Sequence, residues 1–369
     1  MTKRIGLIVN PIAGMGGSVG LKGTDGAMAE RAQALGAATV TPQRTRDLLA
    51  HMADAGVIAW LAAPGAMGAA YLDERGIPNV VVGEIGSTTT AADTRRIARE
   101  MVALGIDLLV FVGGDGTARD IVDAVGAAVP VVGIPAGVKV YSAVFAMSPG
   151  AAAALIGAFE PGGVATEHEV LDIDEEAFRE DRLSSQLYGY LRVPATEGFV
   201  QPGKQGTVLT PDTEEAQRDL AASVVEDMDE AVLYLLGPGS TVRAIADALG
   251  IPKTLLGVDA VVGGAPLGSD LNEQAILALL ERYPHSRIIV TPLGGNGFIF
   301  GRGNKPFTPQ VIRQVGTQNV IVVSTEAKLR GLPELRVDTG DEALDSLLAG
   351  YIEVVIGYHL SRVVKVIAA

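Results

Sequence analysis

Thirteen consecutive residues, Leu108 to Asp120 (LLVFVGGDGTARD), constrain the fold of this chain more than any other stretch. Five apolar residues, Leu108 to Val112, predict a strand buried on both faces. The turn Gly113-Gly114-Asp115-Gly116-Thr117 follows, and then Ala118, Ile121, Val122 and Val125 recur at helical spacing. Strand, glycine turn and helix in this order belong to an open α/β sheet, which binds ligands at the carboxyl ends of its strands. Glycines let backbone N–H groups approach a phosphate closely, and the helix adds its positive end. A carboxylate in such a cradle does not itself hold a phosphate. It points instead to chemistry on a hydroxyl beside the phosphates, with Asp115 as base or metal partner and Gly113, Gly114, Gly116 and Thr117 as the cradle. An ordinary strand-to-helix turn is the alternative, because Gly and Asp are common there.

Composition removes several function classes. With 369 residues, 48% of them hydrophobic, the chain can bury a sizeable core and is long enough for two domains. It has no cysteine, which excludes a disulfide framework, a thiolate metal site and a cysteine nucleophile. A formal net charge of −14 disfavours nucleic acid, which needs a basic face, and anionic membrane surfaces. The first apolar run, Ile5 to Val9, is too short for a signal-peptide core, and no stretch approaches the ~18 apolar residues of a membrane span. A cytoplasmic protein is expected.

Apolar runs at Ile5–Val9, Val57–Ala62, Val80–Val82, Leu108–Val112 and Val129–Ile134 alternate with helical patterns. They predict a doubly wound parallel sheet over residues 1–150. Asn10-Pro11 ends the first strand, and Gly14, Gly16, Gly17, Gly20 and Gly23 follow in a loop suited to a phosphate or to a plain connection. Ser87, Thr88, Thr89 and Thr90 precede Asp93, the expected N-cap of a helix with Ile97, Met101 and Leu104 on its apolar face. Lys139 follows the glycine turn after the Val129–Ile134 strand and is the only lysine between Lys22 and Lys204. A point charge there suits a phosphate, or simply solvent.

The texture changes around Pro149-Gly150, and a second, mixed α/β or β-rich unit is expected over 151–345. Acidic residues between Glu160 and Asp181 alternate with Val170, Leu171 and Ile173, as in an exposed charged strand rather than a metal site. The strand Ala231–Leu236 ends in Gly237-Pro238-Gly239-Ser240-Thr241, repeating the strand, glycine loop and helix order with hydroxyls in place of the carboxylate. An anion or ribose suits that loop, and so does capping by Ser240. Asp259 stands at the end of a further apolar strand, Asn272-Glu273 at a helix start, and Arg302 between two glycines suits a phosphate or a β-turn.

The VGGDGT stretch resembles the signature of the NAD kinase and diacylglycerol kinase superfamily. VNPIAGMGGSVGLKGTDG at the start and GIPAGVKVYSAVFA later resemble its AcoX-like branch, in the ATP-NAD kinase family. The resemblance implies a nucleotide-binding first domain, a substrate-binding second domain, a site between them, and a segment 346–369 that returns to the first domain. It implies ATP and Mg²⁺ as cofactors and a homo-oligomer. It makes Asn10, Thr89 and Thr90 nucleotide contacts beside Lys139, and Ser240, Thr241 and Asp259 contacts to the acceptor. The loop at Gly239-Ser240-Thr241 looks like the one that holds the dinucleotide in NAD kinases, without their flanking tyrosine. The acceptor so implied is the adenosine ribose 2′-hydroxyl of NAD, giving NADP. A kinase for another small or lipid hydroxyl, polyphosphate as donor, and a non-catalytic nucleotide sensor are the alternatives.

Overall fold

Runs of β-branched and leucine residues form the strands of both main sheets in a computed structural model that describes residues 2–15, 39–136, 140–173, 185–195, 211–301 and 303–369. The described residues up to 195 make one unit and those from 211 onward a second. In the first, β1 (Arg4–Val9), β2 (Ala59–Ala62), β3 (Asn79–Val81), β4 (Leu108–Gly113) and β5 (Val131–Pro135) form a parallel sheet in the order β3-β2-β1-β4-β5. All six residues of β4 are buried, because helices cover both faces of the sheet. Leu48, Leu72 and Ile156, from the helices Thr41–His51, Ala69–Glu74 and Pro149–Ala158, pack with Leu7, Val110 and Val132 on one side. Ile97, Met101 and Ile121, from the helices Ala91–Ala103 and Asp115–Val125, pack with Ile8, Leu109 and Phe111 on the other. This is the doubly wound arrangement expected from the alternating pattern.

The texture change at Pro149-Gly150 coincides with a helix start, where Ser148 caps the Ala151 N–H at 3.1 Å. Beyond it, β6 (Ala165–Ile173) and β7 (Ser185–Pro194) form an antiparallel ribbon whose Val170, Leu191 and Val193 join the core around the helix Asp115–Val125. Gly189 lies so close to that helix that a Cβ there would stand 2.9 Å from Val122 Cγ1.

The second unit contains β8 (Leu233–Leu236), β9 (Asp259–Val262), β10 (Ala265–Gly268), β11 (Ser286–Val290), β12 (Phe298–Phe300), β13 (Val320–Val323), β14 (Leu335–Val337), β15 (Gly350–Gly357) and β16 (Leu360–Ala368). They form a mixed sheet in the order β10-β9-β8-β11-β13-β15-β16-β14-β12. The antiparallel pair β15–β16 is built into it between β13 and β14. Its two faces carry separate cores, one under the helices Pro211–Glu226 and Ser240–Ala248, the other under Glu273–Arg282, Pro309–Val315 and Glu342–Leu348. Asn272 caps the helix Glu273–Arg282 by accepting the Ala275 N–H at 2.9 Å, as its position predicts.

Candidate active site

The chain runs from β1 outward to β2 and β3, then crosses back to β4 and β5 on the other side of β1. Neighbouring loops diverge at such a switch point, leaving a crevice at the carboxyl ends of the two strands. The ends of β1 and β4, paired from Ile5↔Leu108 to Val9↔Val112, carry Asn10 and the Gly113–Thr117 turn. The Asn10 N–H donates to the Val112 carbonyl at 2.9 Å, and its Oδ1 accepts the Ile12 N–H at 3.2 Å. Its Nδ2 donates to Thr117 Oγ1 at 3.0 Å. The Thr117 side chain folds back over Gly113, where a Cβ would lie 2.4 Å from Oγ1. The first helical bond runs from the Ala118 N–H to the Gly114 carbonyl, so the N–H groups of Asp115, Gly116 and Thr117 face out of the helix start.

Asp115 is 8% exposed and opens that helix. Its Oδ2 accepts the Tyr141 N–H at 2.8 Å, while its Oδ1 accepts the Ser142 N–H at 2.9 Å and the Ser142 hydroxyl at 2.5 Å. The partner segment is fixed by its apolar residues: Val140, Val144, Phe145 and Ala146 are buried. Phe145 meets Phe111 edge-on at 5.3 Å and lies over Gly133, where a Cβ would be 2.6 Å from its ring. Burial, followed by the nearby Asp115 charge, pushes the Tyr141 hydroxyl far above the usual tyrosine range and keeps it protonated. Tyr141 and Ser142 were not singled out by sequence; their only signal is two polar residues inside the apolar run VYSAVFA.

Asp93 was expected as an N-cap, but Thr90 is the cap and Asp93 is the third helical residue. The Asp93 carboxylate reaches back to the Thr90 N–H and hydroxyl, both at 2.9 Å, in a capping box. Hydrogen bonds from the Thr90 hydroxyl and backbone, then from Arg96, hold the Asp93 carboxyl below its usual range. Leu104, expected on the apolar face, follows the last helical residue and is 49% exposed. Thr89 is half-buried and Thr90 exposed, and among the described residues no hydrogen bond joins either to the Asn10–Thr117 pair. An open groove beside this cap is lined by Glu84, Ile85, Asp93, Arg96 and Glu100, where Arg96 pairs with Asp93 and Glu100. Lys139, Arg302 and the glycine loop from Gly16 to Gly23 lie outside the described residues.

In the second unit, Gly239 rather than Ser240 is the N-cap, at φ 118°, with a Cβ position only 2.7 Å from Thr291 Cγ2. Ser240 Oγ accepts from Gln217 Nε2 at 3.3 Å, and Thr241 is 2% exposed. Asp259 pairs with Leu236 across β8 and β9, which brings it beside this loop. Its carboxylate accepts the Thr254 N–H at 2.7 Å, the Thr254 hydroxyl at 2.8 Å and the Asp270 N–H at 2.7 Å, and lies 3.2 Å from the buried Lys253 ammonium. That ion pair ties down the 253–257 loop, whose Leu255 carbonyl accepts the Gly239 N–H at 2.8 Å. Lys253 and Thr254 carried no signal in the sequence.

Residues 5–164 match the model of the ATP-NAD kinase N-terminal domain, and residues 228–366 that of the ATP-NAD kinase C-terminal domain. The chain belongs to the ATP-NAD kinase family. It is thus a member of a family of ATP-using phosphotransferases, and the residues gathered around Asp115 all fall within the matched N-terminal domain. No curated protein matches it. Among solved structures it is similar to the crystal structure of a "putative diacylglycerol kinase" from Bacillus anthracis str. Sterne, at 15% identity and a TM-score of 0.23. The similarity covers 47% of this chain and 42% of that one, less than half the length of either.

Proposed function

We propose that this ATP-NAD kinase family protein, of the AcoX-like branch, transfers the γ-phosphoryl group of ATP to the adenosine ribose 2′-hydroxyl of NAD, giving NADP and ADP. The observation that carries this is the Asp115 carboxylate, buried at a helix start beside the Asn10–Thr117 pair at the sheet's switch point. Asp115 takes the proton of the attacking hydroxyl as its oxygen bonds to the γ-phosphorus, and the bond from phosphorus to the ADP oxygen breaks. The N–H groups of Gly114, Asp115, Gly116 and Thr117 face the developing phosphate charge, with the Thr117 hydroxyl beside them. Gly113 leaves room for that hydroxyl. Asn10, Thr89, Thr90 and Lys139 contact the nucleotide. Ser240, Thr241 and Asp259 are the proposed acceptor contacts.

Among the described residues no three acidic or histidine side chains gather as a metal site. In the same proposal Mg²⁺ would arrive on the ATP phosphates with water ligands, and Asp115 would help to position it. Homo-oligomerisation and a cytoplasmic location belong to the same proposal. The test is mass spectrometry of the protein incubated with ATP, Mg²⁺ and NAD. NADP should form, and Asp115→Asn should lower its rate by about 10²–10⁴-fold, the usual contribution of a general base. NADP formation at the wild-type rate in that variant removes Asp115 from the chemistry. ATP binding without NADP removes NAD as acceptor.

A further inference from the structure

The Asp115 carboxylate is held by a residue that has no place in the cradle itself. Ser142 is fully buried, and its hydroxyl has one proton to donate. The Leu171 N–H of β6 donates to Ser142 Oγ at 3.0 Å, and the Ser142 hydroxyl in turn donates to Asp115 Oδ1 at 2.5 Å. With the amide occupying one side of the oxygen, the hydroxyl proton is committed to the carboxylate. The same edge of β6 is stitched to this segment by a second bond, from the Ala143 N–H to the Glu169 carbonyl at 2.9 Å.

The ribbon is itself anchored to the helix that Asp115 opens. The Tyr188 hydroxyl donates to Asp123 at 2.8 Å, Arg119 pairs with Asp172, and Gly189 presses on Val122. Val170 opposes Gly189 while Leu171 opposes Leu187, which leaves Tyr188 as the extra residue of a bulge. The ribbon thus grips both the helix and the 141–145 segment, and the amide of Leu171 arrives at Ser142 from a supported strand.

We infer that Ser142 is a positioning residue: tied to β6 through Leu171, it fixes the orientation of the Asp115 carboxylate from which the acceptor hydroxyl is deprotonated. The inference rests on the proposed role of Asp115 and extends it to a residue outside the glycine turn. Its rotor is set by the ribbon, so the ribbon contributes to the site without touching substrate.

Two measurements test it on the whole 369-residue chain. In the first, NADP formation from ATP, Mg²⁺ and NAD is compared among wild type, Ser142→Ala and Ser142→Thr. The alanine variant should lose about 10- to 100-fold in kcat with KM for ATP within about twofold, and threonine, which keeps the hydroxyl, should restore most of the rate. In the second, the side-chain carboxyl ¹³C resonance of Asp115, assigned by its loss in Asp115→Asn, should move in Ser142→Ala and return toward wild type in Ser142→Thr. An unmoved resonance together with full kcat in Ser142→Ala overturns the assignment, as does equal loss in alanine and threonine variants. If wild type forms no NADP, the proposed acceptor falls, and the resonance alone decides the role of Ser142.

Discussion

Gly113 and Thr117 share a space that holds one side chain. A Cβ at Gly113 would stand 2.4 Å from Thr117 Oγ1 and 2.6 Å from its Cβ. Gly113→Ala should therefore destabilise by about 1–3 kcal/mol, the usual range for overpacking, and should displace the hydroxyl from the cradle. Urea unfolding reads the first effect and ATP titration the second; unchanged values in both would mean that the turn relaxes freely. Thr117→Val keeps the shape but removes the acceptor of the Asn10 amide, a loss of about 1 kcal/mol with a weaker hold on ATP. Lys328 shows a different single-residue effect. Burial alone pushes its amine down to about 8 from 10.5. The folded protein therefore binds this proton less readily than the unfolded chain, so the group opposes folding in full below the folded value, and the opposition fades as pH rises through the unfolded one. Lys328→Met should raise the melting temperature at neutral pH, with the gain shrinking between about 8 and 10.5. A gain that grows over that window contradicts the sign.

The helix Ala91–Ala103 is an element whose start does two jobs in the proposed function. Its capping box depends on the Thr90 hydroxyl and the Asp93 carboxylate, and truncating such a cap costs about 1 kcal/mol. Thr90→Ala should lower the melting temperature and weaken ATP binding, whereas Thr89→Ala should weaken ATP binding alone. Thr90→Ser should keep the cap. If ATP affinity is unmoved in all three, the hydroxyls serve the helix and not the nucleotide. The sequence placed the cap at Asp93 because an acidic residue before an apolar stripe satisfies the same pattern. Which of two neighbouring polar residues leaves the helical conformation is set by the loop that delivers the chain, and spacing alone does not reveal it.

At the scale of the whole molecule, two units each own a sheet with cores on both faces. Unfolding should depart from a two-state transition, with a calorimetric enthalpy above the van't Hoff value. ATP with Mg²⁺ should raise the transition of the unit that carries Asp115, by mass action on its folded form. One transition with equal enthalpies would show that the units unfold together.

Four of the five parallel strands were legible in sequence because each is a largely apolar run, which a strand covered on both faces requires, and the edge strand β3 was legible from Val80 to Val82 although Val80 and Val81 are exposed. Asn10 and the Gly113–Thr117 turn were legible for the same reason: they sit where two such runs end, and strand ends in this fold are where ligands bind. Tyr141, Ser142 and the Leu171 amide were not. Tyr141 and Ser142 reach Asp115 from 26 and 27 residues away on a segment pinned by Phe145, and the Leu171 amide reaches Ser142 from a ribbon clamped to a helix. Local sequence fixes which backbone can bend and which side chain is ionisable. Which donors meet that side chain is decided by packing between segments distant in the chain, and only the tertiary structure contains it.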